Sequence, residues 1–223
     1  MEAKTDVAGA PLHPIVMASA PPIEPQYNKD GIAVYRGEAL NVLRQLPDAI
    51  VDCVITDPPY SSGGMFRGDR AAGTDSKYAM GKSWPGRDGE SKRPEKLHTS
   101  FGGDSRDQRS FFAWASLWLA ESWRMAKPGA QCYVFTDWRQ LPVVTDAVQA
   151  GGWTWRGLLV WDKGVGRPMK GRYRNHLEYV VWASNGAMPE PDDVYPSTLM
   201  QVANVPSKDR NHPTQKPVEL IKT

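Results

Sequence analysis

Val51-Asp52-Cys53-Val54-Ile55-Thr56-Asp57-Pro58-Pro59-Tyr60 sets a short apolar run directly against a carboxylate, two prolines and an aromatic ring. Val, Ile and Cys bounded by turn residues read as a strand of a parallel sheet covered on both faces, and ligands of such sheets bind beyond the carboxyl ends of the strands. Asp57 to Tyr60 therefore stand where a substrate would. The two prolines fix φ and lack N–H groups, so the chain leaves the strand stiffly with carbonyl acceptors turned outward. Tyr60 adds a flat face. The plainer reading is a proline-rich strand exit followed by a surface turn.

Beyond this stretch, helical and strand patterns alternate, which favours an α/β domain over a bundle or a sandwich. Phe111, Trp114, Ala115 and Trp118 recur at helical spacing between about Arg109 and Met125, and Lys127-Pro128-Gly129 ends that helix. Gln131 to Phe135 reads as a strand, and Leu141, Val144 and Val148 mark a second helix stopped by Gly151-Gly152. Trp153 to Trp161 and Leu177 to Trp182 read as two strands around a basic loop, an antiparallel pair at the sheet edge. At these positions most of the tryptophans belong to the core. Cys53 and Cys132 both fall in expected buried strands and behave as small hydrophobes, with no bridge or metal site.

Length and composition fit one domain with a proper core. At 40% hydrophobic and 23% charged residues the chain has no apolar run long enough to span a bilayer, and no membrane partner is expected. Residues 1–30 carry five prolines between Pro11 and Pro25 and no secretory signal, and read as a disordered arm before a domain of residues 31–223. Cytoplasmic chemistry is the default expectation.

Charge distribution says more than the net value of +2. Between Asp162 and His176 lie Lys163, Arg167, Lys170, Arg172 and Arg174, with Gly164, Gly166 and Gly171 allowing close approach of the backbone to a groove. Five cations in one loop suit several phosphates and steeply salt-dependent binding, whereas the alternative is a solvated hairpin tip. Residues 61–109 form a stretch of glycine, serine and mixed charge longer than ordinary connections, either a functional loop or disorder. Arg67, Arg70, Lys77, Lys82 and Arg87 are among its cations, and Asp104 with Arg106 could pin it near the site. Residues 184–210 remain as room for a target-recognition element.

Three segments in order carry a family resemblance. Asp57-Pro58-Pro59-Tyr60 resembles the catalytic motif of the DNA amino-methyltransferases, which move a methyl group from S-adenosylmethionine to the exocyclic nitrogen of adenine or cytosine. Upstream, Val34-Tyr35-Arg36-Gly37-Glu38-Ala39-Leu40 resembles the strand, acidic turn and short helix that precede this motif, with Glu38 where the family usually has Asp. Downstream, Asn211-His212-Pro213-Thr214-Gln215-Lys216-Pro217 resembles the stretch that lines the methionine end of the cofactor, and the order is that of the family's beta class. Lys216 can meet a carboxylate, and Pro217 suits the first turn of a helix from Val218 to Ile221.

The resemblance implies a Rossmann-like α/β sheet with helices on both faces, using S-adenosylmethionine and double-stranded DNA. Asp57 and the Pro58 carbonyl would accept the two N–H bonds of the target amine, Pro59 would stiffen the turn, and Tyr60 would stack on a base flipped from the duplex. Glu38 and His212, Pro213, Thr214, Gln215 and Lys216 would line the cofactor pocket. Glu38 is otherwise a helix-opening acid near the positive dipole end. Beginning the motif with Asp favours adenine N6 over cytosine N4. The beta class continues into a strand and a glycine-rich turn, and Gly63-Gly64, Gly102-Gly103 and Gly151-Gly152 do not supply one. The fold is thus expected to be incomplete at its carboxyl end by about one βαβ unit, or the pocket to be completed elsewhere, for example in a homodimer. A restriction endonuclease is a conceivable companion, in a bacterial or phage setting. The competing expectations are a truncated remnant that binds DNA without catalysis, and a methyltransferase for an RNA base or a protein amide.

Overall fold

The computed structural model describes residues 22–60, 106–166, 168, 170–171, 173–189, 193, 195–206, 209–211 and 214–222. They fall into two compact units divided between Gly37 and Glu38. In the first, β1 (Tyr27–Lys29) and β2 (Ile32–Val34) pair antiparallel across Asp30-Gly31, both at positive φ (54° and 77°), which is the backbone that a two-residue hairpin turn demands. Tyr27 to Lys29 were expected to lie in a disordered arm; the Asp-Gly turn signal places them in a strand instead. Residues 1–21 lie outside the described residues.

The second unit holds a five-stranded mixed sheet of β3 (Val51–Thr56), β4 (Ala126–Thr136), β5 (Thr154–Asp162), β6 (Leu177–Ser184) and β7 (Leu199–Gln201), in the order β3-β4-β6-β5-β7. β3 runs parallel to β4 and β7 parallel to β5, while β6 is antiparallel to both of its neighbours. One end of the sheet therefore collects the carboxyl ends of β3, β4, β5 and β7 together with the amino end of β6. The β5–β6 hairpin expected from the sequence is present, but β7 covers it, so β5 is not an edge.

Alternation along β4 sends Cys132 and Val134 to one face and Tyr133 and Phe135 to the other. The first face packs against α1 (Ala39–Leu43), α2 (Gln108–Met125) and α3 (Leu141–Ala150), through Leu40, Phe111, Ala115, Leu119, Val144 and Val148. The second packs Phe135, Trp161, Val180 and Met200 against Leu220 of α4 (Val218–Lys222). Helices on both faces agree with the expected architecture. The helix from Gln108 to Met125 matches the spacing of its aromatic residues, and Asp107 caps it by accepting from Ser110 N at 2.8 Å. α3 ends at Gly151-Gly152 as expected. A Cβ on Gly151 would stand 2.6 Å from Leu119 Cβ, so glycine there also permits the close approach of α3 to α2.

Three expectations need correction. Lys127-Pro128-Gly129 does not simply end a helix: it belongs to β4, as a bulge where the register against β3 slips between Val51 and Cys53 and Gly129 takes φ of 82°. Cys132 is buried, but Cys53 is exposed, because β3 is an edge strand among the described residues. The tryptophans follow expectation only in part: Trp118, Trp153 and Trp161 are core and Trp114 and Trp182 half-buried, whereas Trp123, Trp138 and Trp155 are exposed.

Candidate active site at the carboxyl ends of the strands

α1, β3 and α2 are fastened together before the site begins. Arg124 of α2 donates from Nη2 to Leu43 O at 2.8 Å and from Nη1 to Leu46 O at 3.0 Å, tying down the last residue of α1 and the turn that follows it, and also pairs with Asp48. Ile50 N donates to Met125 O at 2.8 Å, which fixes the entry into β3. The strand then ends at Thr56 and delivers Asp57 to the end of the sheet where four strands finish.

There Lys216, just ahead of α4, places its ammonium 3.0 Å from Asp57 Oδ2 and 3.3 Å from Glu178 Oε2. Glu178, the second residue of β6, meets Lys163 Nζ at 3.1 Å through its other oxygen. The result is a chain of alternating charge, Lys163, Glu178, Lys216 and Asp57, joining the end of β5 to the end of β3. The side chains of Lys163, Glu178 and Lys216 are 15%, 19% and 10% exposed, and Asp57 is 34% exposed. Burying charge is costly unless it is paired, and the alternation supplies the pairing. The rings of Phe135 and Tyr60 flank the Lys216 ammonium, at 5.4 and 5.9 Å from their centroids. Carboxylates and ring faces together surround this ammonium, an environment suited to a cation.

The expected site residues fall into distinct groups. Asp57 and Lys216, 159 positions apart in sequence, are brought together. Pro58 is buried and Pro59 half-buried. Tyr60 is 6% exposed and packs with the core of the α2 face, so stacking on a base would require its ring to be uncovered. Glu38 accepts from Asn41 N at 3.0 Å as the amino cap of α1, which is the helix-opening role weighed for it. Thr214 and Gln215 lie half-buried on the approach to Lys216, and Gln215 Oε1 accepts from Asn211 N at 2.8 Å, closing a local turn. Pro217 directly precedes α4, and its carbonyl accepts from Leu220 N at 3.2 Å. His212 and Pro213 lie outside the described residues.

In the basic loop, Lys170 and Arg174 are exposed, and Arg167 and Arg172 lie outside the described residues. Lys163, expected to contact phosphate, has its ammonium turned to Glu178, because the loop begins at the very end of β5, beside β6. Gly164 and Gly171 take φ near 70°, and Gly166 lies so close to Asn175 and His176 that a Cβ would meet both at 3.1 Å, so these glycines shape the hairpin. Arg67, Arg70, Lys77, Lys82, Arg87 and Asp104 lie outside the described residues, while Arg106 sits over the Trp114 ring at 4.6 Å. Glu178 was not singled out from the sequence. A lone acid in the apolar run Leu177 to Ala183 was the signal that pointed to it.

The profile of the DNA methylase family, N6_N4_Mtase, matches residues 51–223, which include both the Asp57 and the Lys216 segments. The chain belongs to the DNA methylase family. That assignment makes DNA its substrate, the amino group of adenine N6 or cytosine N4 its target, and S-adenosylmethionine its methyl donor. Solved structures agree on the fold. The chain superposes on a complex of M1.HpyAVI with SAM with a TM-score of 0.51 and 17% identity, covering 84% of this chain and 72% of that one. On the PvuII DNA methyltransferase, described as cytosine-N4-specific, the TM-score is 0.55 and the identity 15%, covering 83% of this methylase and 62% of that one. No helix among the described residues is long and apolar enough to cross a membrane.

Proposed function

We propose that this methylase transfers the methyl group to N6 of an adenine flipped out of duplex DNA, through the site at the carboxyl end of β3. The observation that carries this reading is the delivery of Asp57-Pro58-Pro59-Tyr60 by β3 to the end of the sheet where Lys216 meets Asp57. An exocyclic amine is a weak nucleophile because its lone pair is conjugated with the ring. Acceptors for both N–H bonds favour a pyramidal nitrogen, and Asp57 with the Pro58 carbonyl provide them. As the N–C bond forms, the nitrogen must lose one proton; Asp57, a third exposed, can take it and pass it to water. Tyr60, once uncovered, would stack on the base and return about 1–3 kcal/mol of the unstacking cost. A starting Asp rather than Ser favours adenine, with cytosine N4 as the second reading.

The chemistry of the residues present fits the transferring end of S-adenosylmethionine: the carboxylates and ring faces gathered around the Lys216 ammonium are the groups that would favour a sulfonium beside them. When bound, S-adenosylmethionine supplies the methyl group as an electrophile. Thr214, Gln215, Lys216 and, by its place in the motif, His212-Pro213 would border its methionine end, with Glu38 near its adenosine. Lys170 and Arg174, with Arg167 and Arg172, would contact phosphate. Action in the cytoplasm of a bacterium, or of the host of a phage that encodes it, pairing with a restriction endonuclease, and a homodimer all belong to this reading.

The test is incubation of the full chain with duplex DNA and methyl-labelled S-adenosylmethionine, followed by nucleoside analysis. N6-methyl-2′-deoxyadenosine is the expected product. N4-methylcytosine would move the target to cytosine, and salt-dependent DNA binding without either product would support a non-catalytic DNA-binding role. Methylation of RNA in preference to DNA would overturn the choice of substrate.

A further inference from the structure

Glu178 takes no part in holding the amine or accepting its proton, yet it stands at the centre of the ionic chain. It lies on β6, opposite Trp161 of β5 and next to Tyr179, the last residue of β6 that pairs with β4, so its backbone is held by the sheet. Its two oxygens face two lysines, at 3.1 and 3.3 Å. The contact of Oε2 with Lys216 is one of charge, because that buried oxygen makes no aligned hydrogen bond among the described residues. Lys216 itself reaches in from the irregular segment before α4. A lysine is a compact charge on a flexible four-carbon stem, and one carboxylate alone would hold it poorly.

We infer that Glu178 is a positioning residue of the methylation site: it anchors the Lys216 ammonium against Asp57, so that this carboxylate keeps one orientation for the incoming amine. Lys163 braces the anchor from the far side. The inference rests on the reading that Asp57 holds the amine, and it converts an expected phosphate contact, Lys163, into part of the catalytic support. A misplacement of about 1 Å at a reacting group can cost two orders of magnitude in rate, so the loss of such an anchor is visible in turnover before it is visible in binding.

The experiment uses the full chain, duplex DNA and S-adenosylmethionine. Glu178→Gln keeps the shape and removes the charge; it is expected to lower kcat at least about tenfold while KM for DNA stays within about twofold. In a Lys216→Met background the same substitution should cost nothing further, since Glu178 acts through Lys216. Spectra of lysine side-chain ammonium groups give an independent readout: slowly exchanging signals of Lys163 and Lys216, assigned with Lys163→Met and Lys216→Met, should both vanish in Glu178→Gln. Lys163→Met should lower kcat by a smaller factor. Wild-type kcat in Glu178→Gln, or a full additional loss on top of Lys216→Met, would overturn the inference. If the folded wild-type chain transfers no methyl group at all, the methyltransferase reading fails, and the ammonium signals decide the anchor alone: a Lys216 signal that survives in Glu178→Gln rejects it.

Discussion

Each end of β3 pairs an aspartate with a lysine from a distant part of the chain, and the two pairs differ in almost everything but length. At the amino end Asp52 Oδ1 meets Lys127 Nζ at 2.7 Å, with side chains 81% and 46% exposed. At the carboxyl end Asp57 meets Lys216 at 3.0 Å, with side chains 34% and 10% exposed and Glu178 beside them. The shorter contact is the less consequential one. In water an ion pair gains little and is screened by salt, whereas a part-buried lysine shared between two carboxylates cannot be removed without leaving charge unpaired. Burial and network membership, not distance, separate a decorative pair from a working site on the same strand.

The largest effect expected from this contrast lies in stability. Lys216→Met leaves Asp57 and Glu178 facing a vacated cation site and should cost roughly 2–3 kcal/mol, below the range for fully buried pairs because Asp57 remains partly hydrated. Lys127→Met should cost less than about 1 kcal/mol. Urea unfolding of the two variants side by side checks this, and equal losses would erase the distinction.

A second contrast concerns cations that are spoken for and cations that are not within the described ion pairs. Replacing both Lys170 and Arg174 by alanine should reduce the slope of log affinity for DNA against log salt by about 2. Lys163→Met should leave the slope nearly unchanged, because its ammonium is turned to Glu178. Binding measured across a salt series reads both slopes. A slope that falls with Lys163 would return that residue to the phosphate contacts.

Between the two ends of β3 the strand is held to β4, where burial acts on neutral groups. Burial pushes the Cys132 thiol far above the usual cysteine range, with a further push from Cys53, and it raises Tyr133 as well. For each group the folded state holds its proton more tightly than the unfolded chain. The stabilisation is therefore complete below the unfolded thiol value near 9 and is lost as pH rises above it. The unfolding midpoint should stay level below about pH 8.5 and fall beyond it. Cys132→Ala should flatten the fall.

Much of this was legible in the sequence because local periodicity and end signals recorded it. The aromatic spacing from Phe111 to Trp118 fixed α2, glycines stopped α3, and the apolar run from Val51 set Asp57 at a strand end. What stayed hidden depended on strand order. Cys53 sits in the same apolar run as Val54, and only the position of β3 at the edge of the described sheet exposes it. Lys163 and Lys170 belong to one basic loop, and only the adjacency of β5 and β6 turns the first inward to Glu178. Tyr60 reads as a free aromatic face, but the packing of α2 buries it. Motif letters placed the chemistry, while charge partners separated by many residues had to be supplied by the fold.

The account rests most directly on the claim that methyl transfer occurs at the carboxyl end of β3 and not elsewhere on the strand. Single-turnover methyl transfer to duplex DNA, measured side by side for Asp57→Asn and Asp52→Asn, tests it with the same isosteric change of carboxylate to amide at each end. The account predicts that Asp52→Asn keeps the rate within about twofold, and that Asp57→Asn loses at least about a hundredfold with DNA affinity unchanged. A rate for Asp57→Asn equal to that of Asp52→Asn would contradict it.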